Sequence, residues 1–142
     1  MIVKRFTVDS SEYSSSLVLR QTVLREPLGL QLSEEDLLGE AQQLHFGIFE
    51  QTQIQAVVLF KPVAENTLKL RQMAVSPQQQ GKGLGKRLIQ QAELEVVKLG
   101  YKKVEMAARE SAIPFYQSLD YQVVSEAFEE VGITHIKMAK SL

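Results

Sequence analysis

Gly81, Gly83 and Gly85 stand at alternate positions in VSPQQQGKGLGKRL, residues 75–88, between a strand-like run and a leucine-bearing helix. Glycine loses more conformational freedom on folding than any other residue. Such a density is useful only where the backbone must take a left-handed turn or admit a close neighbour. A strand, a glycine loop and a helix in that order leave backbone N–H groups unpartnered at the helix start, where the positive end of the dipole also lies. Lys82, Lys86 and Arg87 add charge to this anion site, and a diphosphate fits it. Two common diphosphate loops do not match. The pattern G-x-G-x-x-G needs its third glycine one residue after Gly85, and G-x-x-x-x-G-K-S/T needs a longer spacing and a hydroxyl where Arg87 stands. Taken alone, the motif also reads as a turn that merely lets strand and helix pack closely.

The rest of the chain alternates helix-like and strand-like runs. IVKRFTV reads as a strand. SSEYSSSLVLRQTVLREPLGL opens with capping residues and predicts one amphipathic helix through Leu17, Arg20, Val23 and Leu24, ended by Pro27 and Gly29. SEEDLLGEAQQ predicts a second helix with Ser33 as N-cap. HFGIFEQTQIQAVVLFKPV predicts a hairpin turning near Gln51 to Gln53, and NTLKLRQMAVS a strand halted at Pro77. Leu84, Leu88, Ala92 and Val96 fall four apart on a helix that runs from Gly83 to Gly100. YKKVEMAA is a strand, SAIPFYQSLD a short helix, and the C-terminal segment a hairpin around Gly132.

The fold class is therefore mixed α/β, expected as a single domain over residues 1–142. Apolar (44%) and charged (23%) fractions place it among soluble globular proteins. A net charge of −1 argues against nucleic acid as a partner. No apolar run approaches the ~20 residues of a membrane span, so no membrane partner is expected. The absence of cysteine excludes disulfides, thiolate metal sites and a Cys nucleophile, and suits the cytoplasm. No set of metal ligands is evident.

Gln80-Gly81-Lys82-Gly83-Leu84-Gly85 matches Q/R-x-x-G-x-G/A and resembles the acyl-CoA pyrophosphate loop of the GNAT N-acetyltransferase superfamily. The preceding MAVSP resembles that family's central strand and its exit. Downstream, Ala112, Phe115, Tyr116 and Tyr121 in SAIPFYQSLDYQVV match the family's A-x-x-F-Y-x-x-x-G-F/Y segment. The resemblance implies a mostly antiparallel sheet with splayed central strands flanked by helices. It also implies acetyl-CoA as co-substrate, no metal, and an amine acceptor on a small molecule or a protein. Direct attack in a ternary complex is the implied chemistry. GNAT proteins of this size often form homodimers. A non-catalytic acyl-CoA-binding sensor is the alternative, and the acyl group is acetyl or longer.

By the same resemblance, residues Gln80, Gly81, Lys82, Gly83, Leu84, Gly85 and Lys86 bind the cofactor phosphates, and Arg109 reaches it by charge where many members carry Asn. Backbone groups of Met73, Ala74 and Val75, at a bulge in the central strand, bind the acyl carbonyl and the pantetheine. Tyr116 holds the position of the acid that protonates the leaving thiolate. A phenol at pKa ~10 does so only if its own pKa falls or the thiolate is poorly solvated. Lys69 and Arg71 stand where some members place a catalytic Glu, so the base is His135, His45 or water, with His135 preferred. Asp120 replaces the family's glycine, and the turn before Tyr121 is expected to differ. Arg20 and Arg25 read either as contacts for an anionic or amphipathic acceptor or as a solvated helix face.

Overall fold

LHFGIFE and QIQAVVLF are apolar nearly throughout, as strands covered on both faces must be. They form β2 (Leu44–Glu50), buried up to Phe49, and β3 (Gln53–Ala64), buried over residues 55–60. The computed structural model describes residues 1–142, in two units. The first comprises Met1–Lys61 and Arg71–Ala92, the second Pro62–Leu70 and Glu93–Leu142.

In the first unit, β1 (Ile2–Phe6) pairs antiparallel with β2, β2 with β3, and β4 (Thr67–Val75) follows β3 in the strand order. Phe6, Leu19, Phe49, Val57, Leu59 and Ala74 make its core. Helix α1 (Ser11–Arg20) starts at Ser10, whose hydroxyl accepts from the Tyr13 N–H. The single long helix predicted here does not form. After Arg20 the chain widens into a π-type turn over Gln21–Arg25, tightens over Glu26–Leu28, and stops at Gly29 in a left-handed conformation, φ 69°. The Gln21 amide braces the exit, donating to Leu30 O at 3.0 Å and accepting from Leu32 N at 2.8 Å.

The second predicted helix is also divided. Helix α2 (Glu34–Leu37) carries a complete capping box between Ser33 and Asp36. Leu38 then extends, Gly39 turns left-handed, and a single tight turn over Glu40–Gln42 carries Glu40 into the interior. There the Arg20 guanidinium meets the Glu40 carboxylate in two hydrogen bonds of 2.9 and 2.6 Å, with both side chains almost wholly buried. Tyr13 Oη donates to Glu40 at 2.7 Å, and Arg71 Nη1 reaches it at 3.3 Å. Arg25 is buried too and pairs with Asp36 at 3.3 Å. Both arginines are thus committed inside the unit, which overturns the readings of an acceptor contact and of a solvated face.

In the second unit, β4 pairs parallel with β5 (Lys103–Arg109) for three residue pairs only, Thr67↔Lys103 to Lys69↔Glu105. Strand β5 pairs antiparallel with β8 (Ile133–Ser141) along its whole length. Two short strands, β6 (Gln122–Val123) and β7 (Phe128–Glu130), also pair antiparallel with β8. Helix α3 (Leu84–Lys98) runs from the first unit into the second and ends at Gly100, whose N–H bonds Val97 O while the Tyr101 N–H bonds Val96 O. Helix α4 (Ile113–Gln117) is shorter than predicted because the chain enters it through a tight turn over Glu110–Ala112. At Asp120 the expected difference does not arise. Its φ of 71° is the conformation a glycine would supply, and Asp tolerates it better than most residues. The eight strands, with helices beside them, are mixed and mostly antiparallel, the class the sequence predicts.

Two expected outcomes follow from these conformations. Val131 and Gly132 join β7 to β8 with φ of 48° and 73°, the positive pair that a type I′ hairpin turn needs. A β-branched side chain is strained there, so Val131→Asn should stabilise the protein by about 1 kcal/mol. Thermal melts showing an unchanged or lower midpoint would contradict this. The second outcome concerns pH. His45 is buried, and desolvation holds its imidazolium form down despite the bond from Nε2 to Glu40 O at 2.7 Å. The unfolded chain therefore takes up this proton first, and stability should begin to fall below the ordinary His value of 6.5. Burial would raise the Glu40 carboxyl, but bonds from Arg20 and Tyr13 and the charges of Arg20 and Arg71 hold it below its ordinary 4.5. A second loss should follow below that pH, as the unfolded carboxyl protonates first. Urea titrations from pH 8 to 4 check both, and His45→Gln should remove the first loss alone.

Candidate functional site

The glycine loop follows β4 directly. Pro77–Gln79 make one tight turn, and Gly81 and Gly83 take left-handed φ values of 78° and 80°. A Cβ at either position would meet no protein atom within 4 Å. The two glycines are thus demanded by backbone conformation and by whatever approaches from outside, not by crowding within the chain. The first helical bond of α3 that closes on the loop is Arg87 N–H to Gly83 O at 3.1 Å. The N–H groups of Leu84, Gly85 and Lys86 precede it and have no acceptor within the helix. Leu84 and Gly85 are buried while Lys82 and Lys86 are exposed, so the site offers backbone donors flanked by two exposed cations. This donor set fits the phosphates of an acyl-CoA.

Within the continuous strand β4, Gln72 takes a left-handed φ of 54°, just ahead of Met73, Ala74 and Val75. Its side chain is held: Arg20 Nε donates to Gln72 Oε1 at 3.0 Å. The sequence gives no signal for this conformation, since glutamine rarely adopts a positive φ. Ala74 packs into the core, so its contribution is limited to backbone. The Val75 carbonyl already accepts from Gln80 Nε2 at 3.2 Å, and Ser76 N–H bonds Gln55 O at 2.8 Å. Arg71, at one of the positions where a Glu was sought, donates to Gln43 Oε1 at 2.7 Å and to Asp36 O at 2.8 Å besides Glu40.

The other candidates lie in the second unit. Tyr116 is buried on α4, with the Phe115 ring 5.0 Å away and Tyr121 at 5.8 Å, both edge-on. Burial alone pushes its phenol pKa well above the ordinary value. The phenol is therefore not made more acidic, and an acid role rests on the other condition, a poorly solvated thiolate. Tyr121 has a different occupation. Its hydroxyl donates to Glu93 Oε2 at 2.8 Å, and Lys140 holds Glu93 Oε1 at 2.8 Å. Burial and the Glu93 carboxylate raise the Tyr121 pKa strongly, which makes it structural.

His135 sits on β8 opposite Arg109 of β5, its ring stacked on Phe128 at 6.1 Å and 27°. Its Nδ1 lies 2.8 Å from Ile133 O, and since a carbonyl only accepts, Nδ1 carries a proton. In the neutral ring Nε2 is then the acceptor, 3.9 Å from Glu130. His45 is 1% exposed and enclosed by Phe6 and Tyr13, with Nε2 engaged and Nδ1 buried without a partner. His45 is therefore closed off from solvent.

The profile of the acetyltransferase (GNAT) domain matches residues 10–142. YyaT of Bacillus subtilis, a protein without an assigned activity, is 26% identical over 152 aligned residues that span all of this chain and 97% of its own. A crystal structure assigned to an N-acetyltransferase of Lactobacillus plantarum superposes with a TM-score of 0.89 at 21% identity, covering 100% of this chain and 99% of that one. An aminoglycoside 6'-N-acetyltransferase complexed with coenzyme A gives 0.80 at 18% identity, over 99% and 97% of the two chains. The two structures share the fold, and the profile takes in β4, its glycine loop, α3 and the Phe115-Tyr116 segment together: the chain belongs to the GNAT acetyltransferase family.

Proposed function

We propose that this chain transfers an acetyl group from acetyl-CoA to a primary amine by direct attack in a ternary complex. The observation that carries the reading is the pair of left-handed glycines at the start of a fifteen-residue helix, one tight turn after a strand that holds Gln72 at φ 54°. Acetyl-CoA supplies an activated thioester. The chain's part is to hold, polarise and move protons. The N–H groups of Leu84, Gly85 and Lys86 bind phosphate, with Lys82 and Lys86 adding charge. Backbone donors of Met73 to Val75 stabilise negative charge growing on the acyl oxygen, an effect worth ~3 kcal/mol per donor in comparable sites. The amine nitrogen bonds to the acyl carbon as the C–S bond breaks. The amine gives up a proton to His135 or water, and Tyr116 gives one to the departing sulfur. N-acetylated amine and free CoA thiol are the products.

Gly83→Val separates cofactor binding from folding. Its side chain would clash with nothing in the chain, but it cannot easily hold φ 80° and would intrude on the phosphate side. CoA affinity by calorimetry should fall at least about tenfold, a loss near 1.4 kcal/mol, with the protein still folded by circular dichroism. Unchanged affinity would move the cofactor site elsewhere. For Tyr116→Phe, which keeps the ring packing, the single-turnover rate should drop ~10²- to 10⁴-fold with acetyl-CoA affinity unaltered. A normal rate would leave Tyr116 a structural residue, and loss of affinity as well would make it a cofactor ligand.

A further inference from the structure

The second unit contains a cleft of about 210 Å³ on the face of the sheet formed by β4, β5 and β8. Its walls include Lys69, Lys103 and Lys137, one from each of these three strands, together with Glu105 and Glu130. The strand register explains the shape. Ala107 faces Lys137 and Ala139 faces Glu105, so the middle of the floor is made of two methyl groups. Phe128 and Val124 close one side, the Phe128 ring being propped by its stack on His135.

The charges in this cleft are not balanced. Glu105 lies 4.0 Å from Lys103, and Glu130 is the carboxylate nearest His135, at 3.9 Å. Lys69 and Lys137 form no ion pair with the chain. Lys69 is level with Glu105 on the neighbouring strand, and Lys137 with Ala107 on the other side. Two strand spacings across and two residues along put their Cα atoms about 12 Å apart. Lysine stems of about 6 Å can therefore bring both ammonium groups onto one anionic group held above the alanine floor.

We infer that this cleft takes the acyl acceptor, and that the acceptor is a small primary amine carrying a carboxylate or phosphate. The inference rests on the N-acetyltransferase reading and adds the substrate class to it. Lys69 and Lys137 bind the anion, Ala107 and Ala139 leave room for a short carbon skeleton, and Phe128 covers its apolar side. Polyamines and aminoglycosides are disfavoured, because their several ammonium groups would meet two unpaired lysines in a cleft whose lining carries net positive charge.

The experiment has two stages, run on the full chain. Calorimetry with CoA comes first. Absence of binding would bring down the acetyltransferase reading, and this inference with it. With CoA bound, thiol release from acetyl-CoA is followed with glutamate, O-phosphoethanolamine, propylamine, spermidine and kanamycin. At least one of the two anionic amines should exceed the other three about tenfold in kcat/KM, the worth of one charge-assisted contact. Lys69→Ala with Lys137→Ala should raise the KM of that amine by a similar factor while the affinity for CoA stays constant. Lys137→Glu should shift preference toward spermidine. Equal or better turnover of propylamine, spermidine or kanamycin by the unmodified protein overturns the inference. So does CoA binding with no turnover of either anionic amine, and so does a double variant with unchanged KM.

Discussion

The first unit is organised by one buried ion pair, Arg20 with Glu40. Removing two charges from water costs more than their attraction returns unless every lone pair and proton is satisfied. Here the carboxylate is fully engaged: Oε1 accepts from Arg20 Nη1 and Tyr13 Oη, and Oε2 from Arg20 Nη2 and Arg71 Nη1. Of the guanidinium's other N–H groups, the one on Nε goes to Gln72. Deleting either partner would strand a buried charge at a cost of about 3–5 kcal/mol. The pair therefore joins α1, the turn ahead of β2, and β4 in fixed relation. It also reaches the functional strand, because the residue it grips is the one in a left-handed conformation ahead of Met73 to Val75. Arg20 thus anchors the side chain of a residue whose backbone sits in a sparsely populated conformation.

These contacts span 20, 31 and 52 residues of sequence, and that is why they were not legible. Arg20 follows Leu17 at the spacing of an amphipathic helix edge, where an arginine normally snorkels to water. Glu40 sits in SEEDLLGEAQQ with Glu34 and Glu35, which are indeed exposed, and Asp36, which is partly buried. What could be read was local. The Ser33–Asp36 capping box, the loop glycines, the Gly100 helix stop and the alternation of the strands each depend on residues within a few positions of one another. Helix continuity failed twice for the same reason. Periodicity over Ser11–Leu28 and Glu34–Gln43 is satisfied by helix, but burying Glu40 and admitting the Gln21 brace requires the chain to change winding within each segment.

The two tyrosines of the Phe115–Tyr121 segment show the same limit at the candidate site. Both are buried aromatics, five residues apart, and nothing adjacent in sequence tells them apart. Their separation comes from Glu93, which the helix pattern of Leu88, Ala92 and Val96 leaves unremarked although it is itself buried. Glu93 accepts from Tyr121 and from Lys140, closing a polar cluster that accounts for all three side chains. Tyr116 stays outside this hydrogen-bonded cluster, and burial alone raises its pKa.

In the proposed reaction the lysines of the cleft pair with the acceptor's anion and not with its amine. An acceptor ammonium near neutrality must lose a proton before it can attack, and a Glu in its path would take that proton but would also stabilise the ammonium. Three lysines against Glu105 and Glu130 leave one net positive charge around the cleft. A bound carboxylate neutralises that charge, so the cleft by itself does not deprotonate the ammonium. On that proposal the proton leaves through water or through His135, whose Nδ1 is fixed on Ile133 O.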